Sequence, residues 1–423
     1  MTATSRISRV TVTPVAFADP PLLNVMGVHQ PFALRAVLEL HTDNGLVGLG
    51  ETYADETHLA HLHAVAAELP GHDPYDLDGL RRLAARTLAR GEGGRAGASF
   101  GGMLDVDSAL DTVYAPFEVA CMDLQGHEAG RPVSDLLGGR VRERMPFSGY
   151  LFYKWAGHPG QHPDEWGEAL GPDQLVAQAR RKVDGWGFGS LKLKGGVLPP
   201  EVECTAIEAL RDAFPGLPLR LDPNGAWTPE TSLRVADRLD GVVEYLEDPT
   251  PGIAGMAQVS AGTDIPLATN MCVIAFEHLP PAIAADAVQV VLSDHHLWGG
   301  LRRSALLGGI TETFGLGLSM HSNSHLGVSL AAMVHLGAAS PNLTYACDTH
   351  FPWKTEDLIE PGGLEFVDGS VAVPTTPGLG VTLDRDRLGE LHEQYVSCGV
   401  RRREDTRYMQ SIRPEFTPNV SRW

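Results

Sequence analysis

Ser190-Leu-Lys-Leu-Lys-Gly-Gly196 places two lysines one residue apart in a short apolar run. In a strand, side chains at i and i+2 point to one face, so Lys192 and Lys194 project together, and the glycines end the strand just beyond them. Two neighbouring ammonium groups repel. The expectation is a lowered pKa for at least one, which suits a general base near neutral pH. An edge strand protected by lysines would look the same over these seven residues.

The rest of the chain separates the two readings. Apolar runs recur, and each ends in a polar residue: Leu217–Leu221 at Asp222, with Asn224 two residues on; Val242–Leu246 at Glu247; Ile265–Thr269 at Asn270; Ala287–Ser293 at Asp294; Gly315–Met320 at His321; Leu343–Cys347 at Asp348-Thr-His350. Asp222, Glu247 and Asn270 are hard oxygen donors, two charged and one neutral. That set suits Mg²⁺, whereas zinc would prefer His or Cys. Asp294 and His321 form a candidate carboxylate–imidazole dyad, in which the carboxylate fixes the imidazole tautomer. A lysine base and such a dyad flanking one metal suit abstraction of a proton α to a carboxylate, with the enediolate stabilised by the metal.

These residues need a scaffold that brings strand ends together. From Lys194 onward they recur every 23 to 29 residues, room for one strand, one helix and two loops. Segments 201–214, 229–239 and 324–339 carry helical apolar spacing or are apolar all round. Alternating strands and helices imply a parallel sheet. With Pro146–Phe152 as the first strand there are eight units, a (β/α)8-type barrel whose chemistry sits at the C-terminal strand ends. Before it, residues 1–145 read as an α+β domain: strands around 10–17, 33–40 and 46–52, a hairpin at Asp43-Asn-Gly45, and a helix over Tyr114–His127. The apolar loop 21–31 would pack on the core or lie over a site. The glycine-rich stretch 90–102 reads as mobile and has no phosphate-loop spacing. Loop 154–172 is longer than usual for a βα connection. A helix is expected over Arg387–Tyr395, then the basic run Arg401-Arg-Arg403 as solvated surface, then an extended tail.

The chain has 423 residues, 43% hydrophobic and 20% charged, which implies two domains of an ordinary globular protein. A net charge of −20 argues against nucleic acid and anionic membrane surfaces but not against a small anionic substrate in a basic pocket. Five scattered cysteines without a C-x-x-C fit reduced thiols in the cytoplasm. Neither a signal pattern nor a membrane-length apolar run is present.

Other histidines compete for attention. His321 and His325 have i, i+4 spacing, but His325 reads as a helix-start or packing residue. His295 and His296 have neighbours too apolar to support a ligand claim. His61-Leu-His63 resembles the H-x-H of metal-dependent amidohydrolases, but it falls in a helical-looking segment outside the barrel.

Lys192-Leu-Lys194, Asp222-Pro-Asn224, Glu247-Asp-Pro249, Asn270, Asp294 and His321 together resemble the enolase superfamily. The segments 191–197, 221–227, 268–271, 321–325, 348–350 and 377–381 resemble its glucarate dehydratases, over almost the whole length from Leu22-Leu-Asn24 to the tail. The resemblance implies an α+β capping domain (1–145) completed by the C-terminal segment (371–423), on a (β/α)7β modified TIM barrel (146–370). It implies Mg²⁺ on Asp222, Glu247 and Asn270. Lys194 would remove the C5 proton of D-glucarate. His321, polarised by Asp294, would expel the 4-hydroxyl as water, giving 5-dehydro-4-deoxy-D-glucarate. Lys192 would bind the reacting carboxylate, and Asn224 is counted with the catalytic set. His29, Tyr150, Ser322, Asn323, His350 and Arg403 match substrate-contacting positions, which moves Arg403 from surface to clamp.

Two departures bear on the sugar. The stretch Gly101–Asp107 lacks the family's substrate-binding threonine. The loop after Pro249 is shorter, with Ile253 near the place of a further glutamate, so the ligand is assigned to Glu247 itself. Competing readings are a dehydratase for another acid sugar, an epimerase or racemase on the same machinery, a zinc hydrolase using His61, and a non-catalytic binding protein. Product analysis separates the first two, and the His61→Ala variant tests the third. A homo-oligomer paired through the capping domains is compatible with the sequence.

Overall fold

The computed structural model describes residues 5–90 and 109–423. The chain opens with β1 (Ile7–Ala18), the small ribbon β2 (Leu23–Asn24) and β3 (Gly27–Val28), and the hairpin β4 (Phe32–Thr42) and β5 (Val47–Tyr53). The order β1-β4-β5 is antiparallel throughout, with Val12 opposite Leu38 and Leu38 opposite Gly50. The expected turn is present: Thr42 N–H donates to Leu46 O at 3.0 Å, and Gly45 sits at φ 87°. Helices α1 (Glu56–Glu68), α2 (Leu77–Arg90), α3 (Ala109–Ala129) and α4 (Val133–Leu136) follow. Helix α3 lies directly on β5. A Cβ at Gly48 or Gly50 would run into the backbone of Ala120 or Pro116, so only glycine permits this approach. His61 and His63 lie on α1, outside the barrel strands and helices. The stretches 91–102 and 101–107, expected to be mobile and to lack the threonine, lie outside the described residues.

The barrel strands are β6 (Arg144–Phe152), β7 (Leu191–Lys194), β8 (Leu219–Asp222), β9 (Tyr245–Glu247), β10 (Leu267–Thr269), β11 (Val290–Ser293), β12 (Gly317–Met320) and β13 (Cys347–Thr349). Helices α5 (Pro172–Trp186), α6 (Pro200–Ala213), α7 (Pro229–Leu239), α8 (Gly252–Ser260), α9 (Leu279–Ala284), α10 (Leu301–Thr313) and α11 (Gly327–Ala338) alternate with them. Strands β6 to β12 are neighbours in chain order and parallel, and β13 closes the ring by pairing with β6. The eighth strand is followed by a short turn and the hairpin β14 (Phe366–Val367) and β15 (Ser370–Ala372), which pairs antiparallel with β6. The architecture is therefore (β/α)7β, and eight complete units are not present.

Strand parity decides what faces the barrel interior. Leu191 and Leu193 point out to the helices and join the core that also holds Leu219, Leu221 and Ile207. Lys192 and Lys194 therefore point in, opposite Arg220 and Asp222 of β8. A one-residue slip would trade two leucines, worth about 1.5–3 kcal/mol each when buried, for two charges in an apolar layer. That difference holds the register.

The C-terminal segment returns to the N-terminal sheet. Helix α12 (Arg385–Cys398) packs on β1, and α13 (Asp405–Ile412) packs beside β3. Helix α13 was not expected. Its polar sequence hides the burial of Asp405 and Met409 against the loop around Gly27. Asp123 of α3 accepts Leu379 N–H at 2.6 Å and Leu49 N–H at 2.8 Å, which joins this segment to the first sheet. All five cysteines are free thiols. Among the described residues no helix is long and apolar enough to cross a membrane.

Candidate active site

The inward lysines meet carboxylates from three strands. Lys192 Nζ donates to Glu247 Oε1 at 2.6 Å and to Asp348 Oδ2 at 2.7 Å, and lies 3.3 Å from Asp222 Oδ2. All four residues are fully buried. Burial alone would lower the Lys192 pKa, but Asp348 and Glu247 win and raise it well above the usual lysine range. Lys192 is thus held as a cation by its carboxylate neighbours, so it is not the lysine of the pair whose pKa is lowered. Lys194 Nζ, on the same face at the strand end, donates to Asp222 Oδ2 at 2.8 Å. Tyr150 of β6 lies beneath both ammonium groups, at 4.9 and 5.9 Å from its ring centre.

Asp222, Glu247 and Asn270 stand at the ends of β8, β9 and β10. Burial and the adjacent Asp222 carboxylate push Glu247 well above the usual carboxylate range, against the pull of Lys192. Asn270 Oδ1 is buried with no hydrogen-bond partner. Crowded carboxylates beside an unsatisfied amide oxygen are what a hard divalent cation would satisfy, so these residues fit Mg²⁺. Asp248 braces the set. Its carboxylate accepts Thr269 Oγ1 at 2.6 Å and Asn270 N–H at 2.9 Å, from a backbone at φ 40°. Asn224, also at positive φ (49°), donates through N–H and Nδ2 to Asp222 Oδ1 and so fixes that carboxylate.

Asp294 and His321 end β11 and β12. His321 Nδ1 lies 3.1 Å from Asp294 Oδ2, so Nδ1–H donates and Nε2 is left for chemistry. Burial would raise Asp294, but His296 and His321 hold it well below the usual range. His296, expected to have an apolar setting, instead bonds the other oxygen of Asp294, with Nδ1 2.8 Å from Oδ1. The polar partners come from the capping strand β4 and from α11, which no local window shows. His325 turns to Leu326 and Thr349 rather than to the dyad. It is buried, its Nδ1 is 3.2 Å from Leu326 O, and burial pulls its pKa down to about 4.

A second cluster closes over these residues. Arg403 reaches Asn323 Oδ1 at 3.0 Å and His29 Nε2 at 2.9 Å, and is braced by Asp405 at 2.8 Å. His29 Nδ1 is in turn 3.0 Å from Asp19 Oδ2. Arg403 is therefore ion-paired and partly buried rather than solvated surface, while its neighbour Arg401 bonds the carbonyls of Tyr395, Val396 and Val400. Ser322 Oγ accepts His350 N–H at 3.1 Å, and the His350 ring lies 4.7 Å from Tyr150 and 5.2 Å from Phe152. Burial, then the His29 and His321 charges, keep His350 well below the usual imidazole range, so it is neutral. The long loop after β6 is pinned by Lys154 Nζ, which bonds Asp164 at 3.0 Å and Trp155 O at 2.6 Å.

The expected site residues thus gather in two adjoining groups at one end of the barrel. Sequence reasoning missed Asp348, Asp405 and His296. Parity offered a signal for Asp348, two residues before His350 in the closing strand. Nothing local marked Asp405.

Two family descriptions match the chain: mandelate racemase/muconate lactonizing enzyme, N-terminal domain, over residues 7–138, and enolase C-terminal domain-like, over residues 174–387. A probable glucarate dehydratase of Streptomyces coelicolor is 50% identical over the full length of both chains. An enolase of Gibberella zeae, solved with magnesium, formate and sulfate, is 55% identical with a TM-score of 0.97 and covers 99% of this chain and 98% of its own. An enolase of Mycobacterium smegmatis, solved with tartrate, is 62% identical with a TM-score of 0.95 over 100% of both chains. The chain belongs to the enolase superfamily, in its glucarate dehydratase-like subgroup. It is an enzyme, a carbon–oxygen lyase of the hydro-lyase kind.

Proposed function

We propose that this enzyme dehydrates an acid sugar, with D-glucarate the first candidate and 5-dehydro-4-deoxy-D-glucarate the product. The observation that carries this reading is the pairing of two proton-handling groups, Lys194 on β7 over the Tyr150 ring and the His321–Asp294 dyad on β12 and β11, whose neighbour Ser322 bonds His350 against that same ring. Lys192, fixed as a cation, binds the reacting carboxylate. Lys194 Nζ takes the proton from the adjacent carbon. His321, entering as imidazolium with Asp294 on Nδ1, gives its Nε2 proton to the β-hydroxyl, which leaves as water. Asp222, Glu247 and Asn270 would hold Mg²⁺, which when bound offsets the negative charge that grows on the substrate carboxylate. Asn224 orients Asp222. His29, Asn323 and Arg403 bind the distal end, and Tyr150, Ser322 and His350 line the reacting end. The magnesium and tartrate held by the relatives support the cation and the dicarboxylate class.

The same reading divides the chain into a capping domain (1–145), a catalytic barrel (146–370) and a returning segment (371–423). It places the enzyme in the cytoplasm, as a homo-oligomer paired through the capping domains. Turnover of D-glucarate with Mg²⁺ to a 2-keto acid is the test. The Lys194→Ala variant should lose C5 proton exchange with D₂O while still binding Mg²⁺. The His321→Asn variant should keep exchange but lose elimination. Exchange without product in the wild type would favour an epimerase, which the two flanking proton carriers also allow.

A further inference from the structure

We propose that His296 is a positioning residue of the dyad, tying Asp294 to the buried Arg35 of the capping strand β4 and drawing charge away from the Asp294–His321 bond. The inference rests on the proposed role of His321.

The hydrogen-bond chain determines its own proton positions. A guanidinium only donates. Arg35 NH2 lies 2.8 Å from His296 Nε2, so Nε2 accepts and the imidazole is neutral with its proton on Nδ1. That Nδ1–H donates to Asp294 Oδ1 at 2.8 Å, and His296 N–H donates to the same oxygen at 2.9 Å. Oδ2 is left to His321 at 3.1 Å. Ser329 Oγ stands 3.0 Å from both Arg35 NH2 and His296 Nε2. On its far side Arg35 Nε donates to Glu51 Oε1 at 2.8 Å, and Glu51 accepts Leu326 N–H and Ser329 N–H at the start of α11. Every side chain in this relay is buried. The catalytic carboxylate therefore senses a cation on the capping sheet through one neutral imidazole.

Carboxylate hydrogen bonds stabilise its charge and weaken its pull on any one donor. Loss of the His296 bond should concentrate negative charge on the remaining partner, so His321 should hold its proton to higher pH. The other titratable groups facing this relay are Tyr53 on β5, His58 on α1, His295, His325 and His350. Tyr53 lies 5.3 Å from the His296 ring, and His295 lies 3.9 Å from it.

The experiment is imidazole titration by NMR on histidine-labelled full-length protein, with the His321 signal identified by its absence in the His321→Asn variant. In the His296→Leu variant the His321 midpoint should rise by about one unit, a tenfold change in proton affinity. In the His296→Asn variant, whose amide N–H takes the place of Nδ1–H, the midpoint should return to within a few tenths of wild type. An unchanged midpoint in a folded His296→Leu variant overturns the proposal, as does an equal shift in both variants. The pH limb of elimination is read separately. If that limb ignores a shifted His321 midpoint, the assignment of His321 as the acid fails while the coupling stands.

Discussion

Lys192 Nζ and Asp348 Oδ2 lie 2.7 Å apart, a bond that reaches from the second barrel strand to the eighth across the first. Strand β6 pairs with β7 on one side and β13 on the other, so the seam of the barrel passes beneath this buried ammonium. The proposed carboxylate-binding lysine is thus held by the same contact that closes the ring.

Breaking this contact should therefore affect both fold and catalysis. Removing one partner of a buried ion pair costs roughly 3–5 kcal/mol when the other charge is left unpaired. Lys192 keeps Glu247 and Asp222, so the Asp348→Ala variant should lose less than that in urea unfolding, and most of its kcat/KM. The Asp348→Asn variant, which keeps an acceptor, should recover part of both. Wild-type stability in Asp348→Ala would show the contact to be idle.

Chelation should abolish turnover, with Mg²⁺ restoring it. A cation that binds only the folded site should, at a hundredfold excess over Kd, add about 2.7 kcal/mol of stability. The thermal midpoint should climb with Mg²⁺ in the wild type and much less in the Asn270→Ala variant, which lacks the unsatisfied oxygen. Equal climbs in the two would remove Asn270 from the ligand set.

The guanidinium of Arg403 spans Asp405, Asn323 and His29 with a planar fork that an ammonium cannot match. The Arg403→Lys and Arg403→Met variants should both raise KM for a dicarboxylate at least tenfold, with a smaller effect on proton exchange catalysed by Lys194. A comparison with a monocarboxylate sugar acid checks this, since that substrate should be indifferent if Arg403 holds the distal carboxylate.

His335 gives a pH dependence independent of the active site. On α11, its Nδ1 accepts Ser134 N–H at 3.2 Å and its Nε2 donates to Leu379 O at 3.1 Å, so it must be neutral. Burial is the main reason its pKa falls from 6.5 to about 4. The folded value lies below the unfolded one, so this stability is complete above pH 6.5 and drains as pH falls toward 4. The full loss is about 3 kcal/mol at 1.36 kcal/mol per unit. Urea unfolding from pH 7 to 4 should show a decline that is shallower in His335→Gln. Parallel curves would rule His335 out as its source.

Much of the barrel was legible because local patterning and global fold agree. Strands β8 to β12 begin two or three residues later than the apolar runs, but their polar ends fall where expected. Asp222 and Glu247 follow the outward-facing Leu221 and Leu246, Asn270 follows Thr269, and the βα turns begin there. The closing strand was displaced most. Cys347–Thr349 pairs with β6 where Leu343–Cys347 was expected, because its partner is two hundred residues away and sets the register.

By itself, then, the sequence determined the parity that turns Lys192 and Lys194 inward, the spacing that puts Asp294 and His321 on successive strands, and the donor types that suit a hard cation. These follow from side-chain alternation and from the length of one βα unit. The tertiary structure alone decided which charges meet. Lys192 became a fixed cation because Asp348 and Glu247 arrive from distant strands. Arg403 became a partly buried clamp because Asp405, held by Asn24 from 381 positions away, pairs with its guanidinium. His296 gained its partner from Arg35, 261 positions earlier. Such contacts depend on chain closure and on the exclusion of water from the space between elements, and neither is written in a local window of residues.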